Sequence, residues 1–240
     1  MQATENVSSI SYLLIGSGRV ARHLGHYLHL SNINYQSWDR SQDPHALGRK
    51  VAGASHVLLA ISDSAIEGFY RQRLAGHDIT VVQFSGAHHF EGMISAHPLM
   101  TFGPELYDLS FYKKIHFTLT GADHLNKALP GFENPFSVIE ASEKALYHAY
   151  CVLGGNFTTL LAAKMLSGFA ELKIPAEAAE VYLQKVLTNT LAAPDKALTG
   201  PLVRKDAATV EANLTALKND PYQEVYKAFL KTLWPEYPRK

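Results

Sequence analysis

The segment that most constrains this fold runs from Gly16 to Ala21 and follows an apolar stretch at residues 11–15. Its pattern, Gly-x-Gly-x-x-Ala between a predicted strand and a predicted helix, is typical of the turn that binds the pyrophosphate of a dinucleotide. Gly16 can adopt the positive φ of a tight turn, and Gly18 has no Cβ to keep a pyrophosphate away from the backbone. The predicted dinucleotide contacts in this turn are Gly16, Ser17, Gly18, Arg19 and Val20. The alternative is an ordinary strand-to-helix turn that holds no ligand.

The first part of the chain alternates predicted strands with predicted helices. The strands are predicted at residues 11–15, 34–38, 56–61, 79–84, 94–99, 115–120 and 136–140, and the first helices at residues 20–30, 47–54 and 66–74. The apolar run that forms the third strand is typical of a strand buried on both faces of a sheet. Alternating strands and helices indicate a parallel sheet with right-handed crossovers. We therefore predict an α/β fold, a doubly wound and mostly parallel Rossmann sheet, over residues 1–141.

Helical periodicity replaces this alternation after residue 141. Helices are predicted at residues 142–172, 175–191 and 206–218 and from residue 220 onward. Gly154-Gly155 is a weak point in the long first helix, where we expect a kink. Pro175 suits a first helical position, and Asp206 can cap the helix that follows it. We predict that residues 142–240 form a second, smaller, all-α domain.

Asp39, Arg40 and Ser41 close the second predicted strand. A carboxylate at this place accepts hydrogen bonds from the ribose 2′-OH of NAD, whereas an arginine pairs with the 2′-phosphate of NADP. The Arg-Ser pair favours NADP over NAD, and we predict that Arg40 and Ser41 contact the cofactor. The structural alternative is that these are solvated loop residues.

Two further strand ends place polar groups at the same edge of the predicted sheet. Ser62 and Asp63 follow the third strand, and Ser85 follows the fourth. Because cofactors lie at the carboxyl edge of such sheets, we predict that these three residues contact the cofactor, Ser85 in the nicotinamide pocket. Capping of the next helix by Asp63 or Ser64 is the favoured structural alternative.

Four polar residues further along the chain are candidates for catalysis. His97, at a strand edge, can act as a general acid or can hold a backbone carbonyl. Asn156 interrupts an apolar helical stripe and His148 precedes it by eight residues, which indicates either a buried polar network or a cluster facing a substrate. Arg204 can clamp a carboxylate with paired N–H donors. We predict His97 or His148 as the proton donor, with Asn156 orienting the substrate and Arg204 binding its carboxylate.

Composition excludes several function classes. Lys plus Arg and Asp plus Glu both number 22, so no net charge directs the chain to nucleic acid or to a membrane. Cys151 is the only cysteine, which excludes an intrachain disulfide and favours the cytoplasm. Residues 1–9 lack the apolar core of a secretory signal, and no apolar run is long enough to span a bilayer. Although the chain has 12 histidines, the spacings typical of metal sites do not occur, so no metal is predicted.

The ordered set of motifs resembles a known family. The motifs are the glycine turn, the segment from Asp63 to Ile66, Ser85-Gly86-Ala87, His97-Pro98-Leu99, Tyr147-His148-Ala149, Asn156 and Leu198-Thr199-Gly200-Pro201. Together they resemble bacterial two-domain NAD(P)-dependent oxidoreductases with a Rossmann-like N-terminal domain and a helical C-terminal domain of unknown function. These are related to ketopantoate reductase and pyrroline-5-carboxylate reductase. The resemblance implies a small-molecule substrate between the sheet edge and the helical domain, and a homodimer formed through the C-terminal helices.

The sequence departs from the family pattern at two positions. Related hydroxyacid dehydrogenases have an acid/base lysine four residues before the helix Asn, where this chain has Val152. Relatives often have glycine where this chain has Lys205, which leaves the geometry of that loop open. The sequence thus favours an NADP-dependent oxidoreductase that transfers a hydride between nicotinamide and a small carbonyl or imine carboxylate. The alternative is an NAD(P)-binding regulatory or scaffold protein without turnover.

Overall fold

A computed structural model describes residues 10–237, which divide into two compact units between Thr158 and Thr159. The helical part of the chain begins near the predicted position, with a 3-10 turn at Ala141–Glu143. The first unit extends further along the chain because Lys144 and Tyr147, in the next helix, bond to groups of the sheet. Residues 1–9, for which no secretory signal is predicted, lie outside the described residues.

The first unit contains a seven-stranded sheet. Its strands are β1 Tyr12–Ile15, β2 Tyr35–Trp38, β3 His56–Leu59, β4 Thr80–Gln83, β5 Ile94–Pro98, β6 Phe117–Thr120 and β7 Phe136–Val138. Their order is β2-β1-β3-β4-β5-β6-β7; β1 to β5 are parallel, β6 is antiparallel to β5, and β7 is parallel to β6. Each predicted strand is present, and the doubly wound, mostly parallel sheet is confirmed.

Helices flank the sheet and continue beyond it. They are α1 Arg19–Leu30, α2 Pro44–Ala52, α3 Asp63–Arg73, α4 Leu109–Tyr112, α5 Leu125–Ala128 and α6 Lys144–Cys151. Two interior strands, β1 and β3, alternate between two apolar cores: Leu14 and Leu58 join one cluster, whereas Leu13 and Leu59 join the other. Burial on both faces explains why these strands read as continuous apolar runs. The single turns α4 and α5 were not predicted, because four residues carry too little periodicity.

The predicted long helix after residue 141 is continuous but not uniform. It passes from the 3-10 turn through α6 into a π-helical segment, Val152–Phe157, and then into α7, Thr158–Glu171. The π segment contains Gly154 and Gly155, the predicted weak point. Glycine has low helix propensity and no side chain to pack, which makes this the place where the regular hydrogen-bond pattern is interrupted.

The second unit is helical throughout its described residues. After α7 come α8 Ala176–Ala192, α9 Pro194–Ala197, α10 Pro201–Arg204, α11 Ala207–Ala216 and α12 Tyr222–Leu233. Asp206 caps α11 as predicted, since its Oδ1 accepts from the N–H of Thr209 at 3.1 Å. Pro175 is the cap residue before α8 rather than its first helical residue. Within residues 10–237, no helix combines the length and apolar character needed to cross a membrane.

Candidate active site

The turn after β1 has a geometry that requires glycine. Gly16 has a φ of +128°, and its N–H donates to the carbonyl oxygen of Trp38 at 2.9 Å. A Cβ on Gly16 would lie 2.2 Å from the carbonyl oxygen of Ala60, well inside van der Waals contact. The turn therefore packs against the end of β3 only because Gly16 has no side chain.

Gly18 borders a cleft of about 640 Å³ at the carboxyl ends of β1, β2 and β3. A Cβ on Gly18 would meet no atom within 4 Å, so the space around this residue is open. The cleft lies where the strand order reverses between β1 and β3, which is the place where doubly wound sheets bind ligands. Among the predicted cofactor contacts, those that line it are Gly16, Ser17, Gly18, Arg19, Val20, Arg40, Ser62 and Asp63. Ser41 and Ser85 do not line it, but each is bonded to an aspartate that does.

The end of β2 presents a guanidinium group beside a carboxylate that already has hydrogen-bond partners. Asp39 Oδ1 accepts from the N–H of Ser41 at 2.8 Å and from its hydroxyl at 2.5 Å. Both bonds lower the pKa of the Asp39 carboxyl, and the bond from the Ser41 hydroxyl has the larger effect. Arg40 is exposed at the cleft. Ser41 thus occupies much of the hydrogen-bonding capacity of the Asp39 carboxylate, while the Arg40 guanidinium keeps its N–H donors available for an anion.

Asp63 connects the ends of β3 and β4 instead of capping a helix. Ser62 occupies the cap position of α3 and makes no side-chain cap bond, and Asp63 is the first helical residue. The hydroxyl of Ser85 donates to Asp63 Oδ2 at 2.7 Å. The favoured prediction that Asp63 or Ser64 caps the helix is therefore wrong, because the Asp63 carboxylate is engaged across the sheet edge.

A buried lysine that sequence reasoning missed lies next to Ser85. Lys144, at the start of α6, is 1% exposed, and its Nζ donates to the Ser85 carbonyl oxygen at 3.0 Å and to the Ser95 hydroxyl at 2.7 Å. Burial lowers the pKa of Lys144 to about 8, against an opposing effect of the Asp63 charge. The sequence gives no signal of this burial, because a lysine at the start of a helix normally lies in solvent.

His97 and His148 converge on Gly86, in the turn after β4. Nδ1 of His97 lies 2.8 Å from Tyr147 Oη. A Cβ on Gly86 would lie 2.4 Å from His148 Cδ2, 3.0 Å from His97 Nε2 and 3.2 Å from His148 Nε2, so both rings pack close to this glycine. Burial lowers the pKa of His97 to about 4, with smaller effects of Lys144 and His148 in the same direction and of Asp63 in the opposite one. The His97 ring is therefore neutral at pH 7.

The other predicted catalytic residues are on later helical segments of the chain. Asn156 is exposed on the π segment, and Arg204 is exposed at the end of α10, in the second unit. Lys205, which follows Arg204, has a φ of +52°, so this loop has the left-handed backbone that the glycine of relatives adopts without strain. Within residues 10–237, no group of three or more His, Cys, Asp or Glu side chains is arranged to hold a metal ion.

Comparison with known families agrees with the resemblance inferred from the motifs. Residues 117–232 match the family model described as "Domain of unknown function (DUF2520)". The match confirms the predicted family resemblance, and it begins at Phe117 in β6, before the helical part of the chain. No curated protein matches the chain significantly.

Solved structures show the same fold. A protein from Bacteroides fragilis, named as a candidate NADP oxidoreductase, has a TM-score of 0.78 at 19% identity and covers 96% of this chain and 100% of its own. Pyrroline carboxylate reductase from Plasmodium falciparum, with NADP bound, has a TM-score of 0.58 at 9% identity, covering 95% and 97%. An imine reductase variant from Myxococcus stipitatus, in complex with NAD⁺, has a TM-score of 0.57 at 16% identity, covering 95% and 94%. At these identities the similarity confirms the fold.

Proposed function

We propose that this protein is an NADP-dependent oxidoreductase that transfers a hydride between nicotinamide and a small carbonyl or imine compound carrying a carboxylate. The observation that carries the proposal is that His97 and His148 converge in the turn region after β4, on the sheet whose neighbouring strand ends form the nucleotide cleft. The nicotinamide supplies the hydride chemistry when bound, and the protein supplies position and a proton. The activities named for the proteins from B. fragilis and P. falciparum agree with this proposal.

The residues around the cleft fit a dinucleotide. The open space at Gly18 leaves room for a pyrophosphate beside the backbone, and α1 begins directly after it with its N–H groups available. Arg40 and Ser41 are suited to the 2′-phosphate of NADP, because an exposed guanidinium can form paired bonds to phosphate oxygens. Ser62 and Asp63 are assigned to the cofactor, and Ser85 to its nicotinamide end.

The two histidines are the candidates for proton transfer. The Nε2 atoms of His97 and His148 both lie beside Gly86, within 3.2 Å of the position that a Cβ on this residue would occupy, so the two imidazoles border the same turn. Imidazole is the side chain that most often transfers protons near neutral pH. Asn156 is assigned to substrate orientation and Arg204 to the substrate carboxylate. Replacing Arg204 with Lys separates these roles. Lysine lacks the two parallel N–H donors of the guanidinium, so the substitution is expected to raise the KM for a carboxylate substrate and to leave NADPH binding unchanged.

An NAD(P)-binding regulatory protein without turnover is the second candidate. The observation that favours it is Val152, at the place where related hydroxyacid dehydrogenases have their acid/base lysine. Tight NADPH binding without reduction of any 2-oxo acid, 3-oxo acid or cyclic imine would support this candidate over the enzyme.

The cofactor assignment is tested by titrating the protein with NADPH and NADH and following nucleotide fluorescence. Arg40→Ala is expected to weaken NADPH binding about 10- to 100-fold, because charge-assisted bonds to phosphate are lost, and to change NADH binding little. Arg71→Ala is the matched control, since Arg71 is 74% exposed and pairs with Glu67 on the surface of α3. Equal effects of Arg40→Ala on both nucleotides would refute the NADP assignment. If the wild-type protein bound neither NADPH nor NADH, the whole proposal would be refuted.

A homodimer through the C-terminal helices and a cytoplasmic location belong to the same proposal. Large apolar side chains along α8 are exposed, among them Val181 at 69% and Leu191 at 77%. Exposed apolar surface on this scale is typical of a face that a partner covers, and a second copy of the chain is the partner proposed. Sedimentation equilibrium tests this, with Leu191→Glu expected to shift the protein towards monomer and a monomeric wild-type protein contradicting it.

A further inference from the structure

The two ring nitrogens of His97 have different surroundings. Nδ1 lies 2.8 Å from Tyr147 Oη, and the two rings meet edge to face with centroids 5.6 Å apart. Nε2 lies beside Gly86, whose Cβ position would be 3.0 Å away. The imidazole is thus held by the protein at one nitrogen, while the other nitrogen faces the turn after β4.

The chemistry of the two side chains determines which of them donates. A phenol O–H is a stronger acid than a neutral imidazole N–H, and an imidazole nitrogen is a stronger base than a phenol oxygen. Tyr147 therefore donates to Nδ1 of His97. The buried hydroxyl of Thr118, the partner of His97 in the β5–β6 pairing, also bonds to the phenol. With Nδ1 accepting, the proton of the neutral ring is on Nε2.

The groups packed around the ring keep it neutral. Lys144 and His148 from α6 and Asp63 from α3 are the ionisable groups that act on His97, and burial acts more strongly than any of them. Tyr147 is itself held in its protonated form, because burial raises its pKa to about 12, and Cys151 on the next turn of the helix adds to this. Between about pH 4 and about pH 12 the pair therefore exists as a phenol and a neutral imidazole.

We propose that Tyr147 positions His97 as an Nε2–H donor and that the site consequently takes a carbonyl compound in preference to an iminium ion. A carbonyl oxygen offers lone pairs to this donor, whereas an iminium N–H would place a second donor against it. The buried ammonium group of Lys144 adds repulsion towards a cation, and the Asp63 carboxylate already accepts from Ser85. The inference rests on the proposed function, because a carbonyl is reduced only where a hydride donor binds.

Protons and electrons balance in the resulting step. A hydride from the reduced nicotinamide adds to the carbonyl carbon, and the electrons of the C=O π bond move onto oxygen. That oxygen takes the proton from Nε2 of His97 while Nδ1 takes the phenolic proton of Tyr147, so the ring ends neutral with its proton on the other nitrogen. The carbonyl is reduced to an alcohol and the nicotinamide is oxidised. Nδ1 then returns its proton to the phenolate and Nε2 takes a proton from water, which restores the starting tautomer.

The tautomer can be observed without any reaction. In the ¹⁵N spectrum of histidine-labelled full-length protein at neutral pH, the His97 ring is expected to show its proton on Nε2. His97→Gln identifies the signals by their loss. Tyr147→Phe is expected to shift the ring towards a mixture of tautomers, whereas Tyr150→Phe, at a position 63% exposed on the same helix, leaves it unchanged. A proton on Nδ1 in the wild-type protein would overturn the inference.

Kinetics with NADPH then test the substrate class. Ketones and 2-oxo acids are expected to be reduced faster than cyclic iminium compounds, and Tyr147→Phe is expected to lower the kcat for carbonyls about 100-fold, with the KM for NADPH and the activity of Tyr150→Phe unchanged. Faster reduction of iminium compounds, or full activity of Tyr147→Phe, would overturn the inference and leave the proposed function in place. Failure of the wild-type protein to bind NADPH would refute the proposed function and this inference with it.

Discussion

Because His97 is neutral in the folded protein, the free energy of unfolding is expected to fall in acid by an amount that can be calculated. The pKa of His97 falls from 6.5 to about 4 in the folded protein, mainly through burial. At 1.36 kcal/mol per pKa unit, this corresponds to about 3 kcal/mol of weaker proton binding by the folded state. Because the unfolded chain takes up the proton first, this contribution is fully present above pH 6.5 and is lost as the pH falls towards 4.

The measurement is urea unfolding of the wild-type protein and of His97→Gln between pH 4 and pH 7.5. Glutamine does not titrate in this range, so the difference in unfolding free energy between the two proteins is expected to change by about 3 kcal/mol, with the wild-type protein losing more stability in acid. His29→Gln is the control for the substitution itself, because His29 is exposed in the last turn of α1. A constant difference for His97→Gln would refute the assignment of a neutral, buried imidazole.

Three further substitutions test neighbouring parts of the structure. Gly86→Ala would place a Cβ 2.4 Å from Cδ2 of His148, so turnover should fall at least 10-fold as that ring is displaced, and steady-state kinetics with unchanged NADPH binding would show it. The unfolding free energy of the wild-type protein should rise by about 3 kcal/mol between pH 8 and pH 10.5, because only the unfolded chain keeps Lys144 protonated in that range. Lys144→Met should abolish this rise. The same pH dependence of urea unfolding in the wild-type protein and the variant would contradict this. Lys205→Gly should raise the unfolding free energy by up to about 1 kcal/mol in the same assay, since Lys205 has a φ of +52°, and a loss of stability would show that the side chain itself matters.

The sequence predicts those parts of the fold that depend on local pattern. The seven strands follow from apolar runs, and the glycine turn follows from the φ that Gly16 must adopt. The weak point at Gly154-Gly155 is likewise a local property, because helix propensity is set residue by residue. A local pattern does not show whether the interrupted helix becomes kinked or π-helical, since that depends on what the helix packs against.

The site is only partly predictable because its decisive contacts join distant parts of the chain. The sequence around Asp63 is typical of a helix cap, but the hydroxyl from which Asp63 accepts belongs to Ser85, just after the next strand. A lysine at the start of a helix is expected in solvent, but the Nζ of Lys144 donates a hydrogen bond to the hydroxyl of Ser95, 49 residues earlier. Periodicity carries information over a few turns of helix or a single strand and cannot identify such partners.

The buried ammonium of Lys144 has a consequence that packing alone does not explain. A folded-state pKa of about 8 against 10.5 means that keeping this group charged at pH 7 disfavours the folded state by about 3 kcal/mol relative to its neutral form. A methionine of similar volume would avoid that penalty, as replacements of buried charges by apolar residues often show. What the lysine contributes instead is two fixed hydrogen bonds, to Ser85 and Ser95, and a positive charge that opposes protonation of His97. The buried lysine thus lowers the stability of the fold but fixes the turn at Gly86 and keeps the neighbouring imidazole neutral. These are the two conditions under which His97 can present an N–H donor at physiological pH.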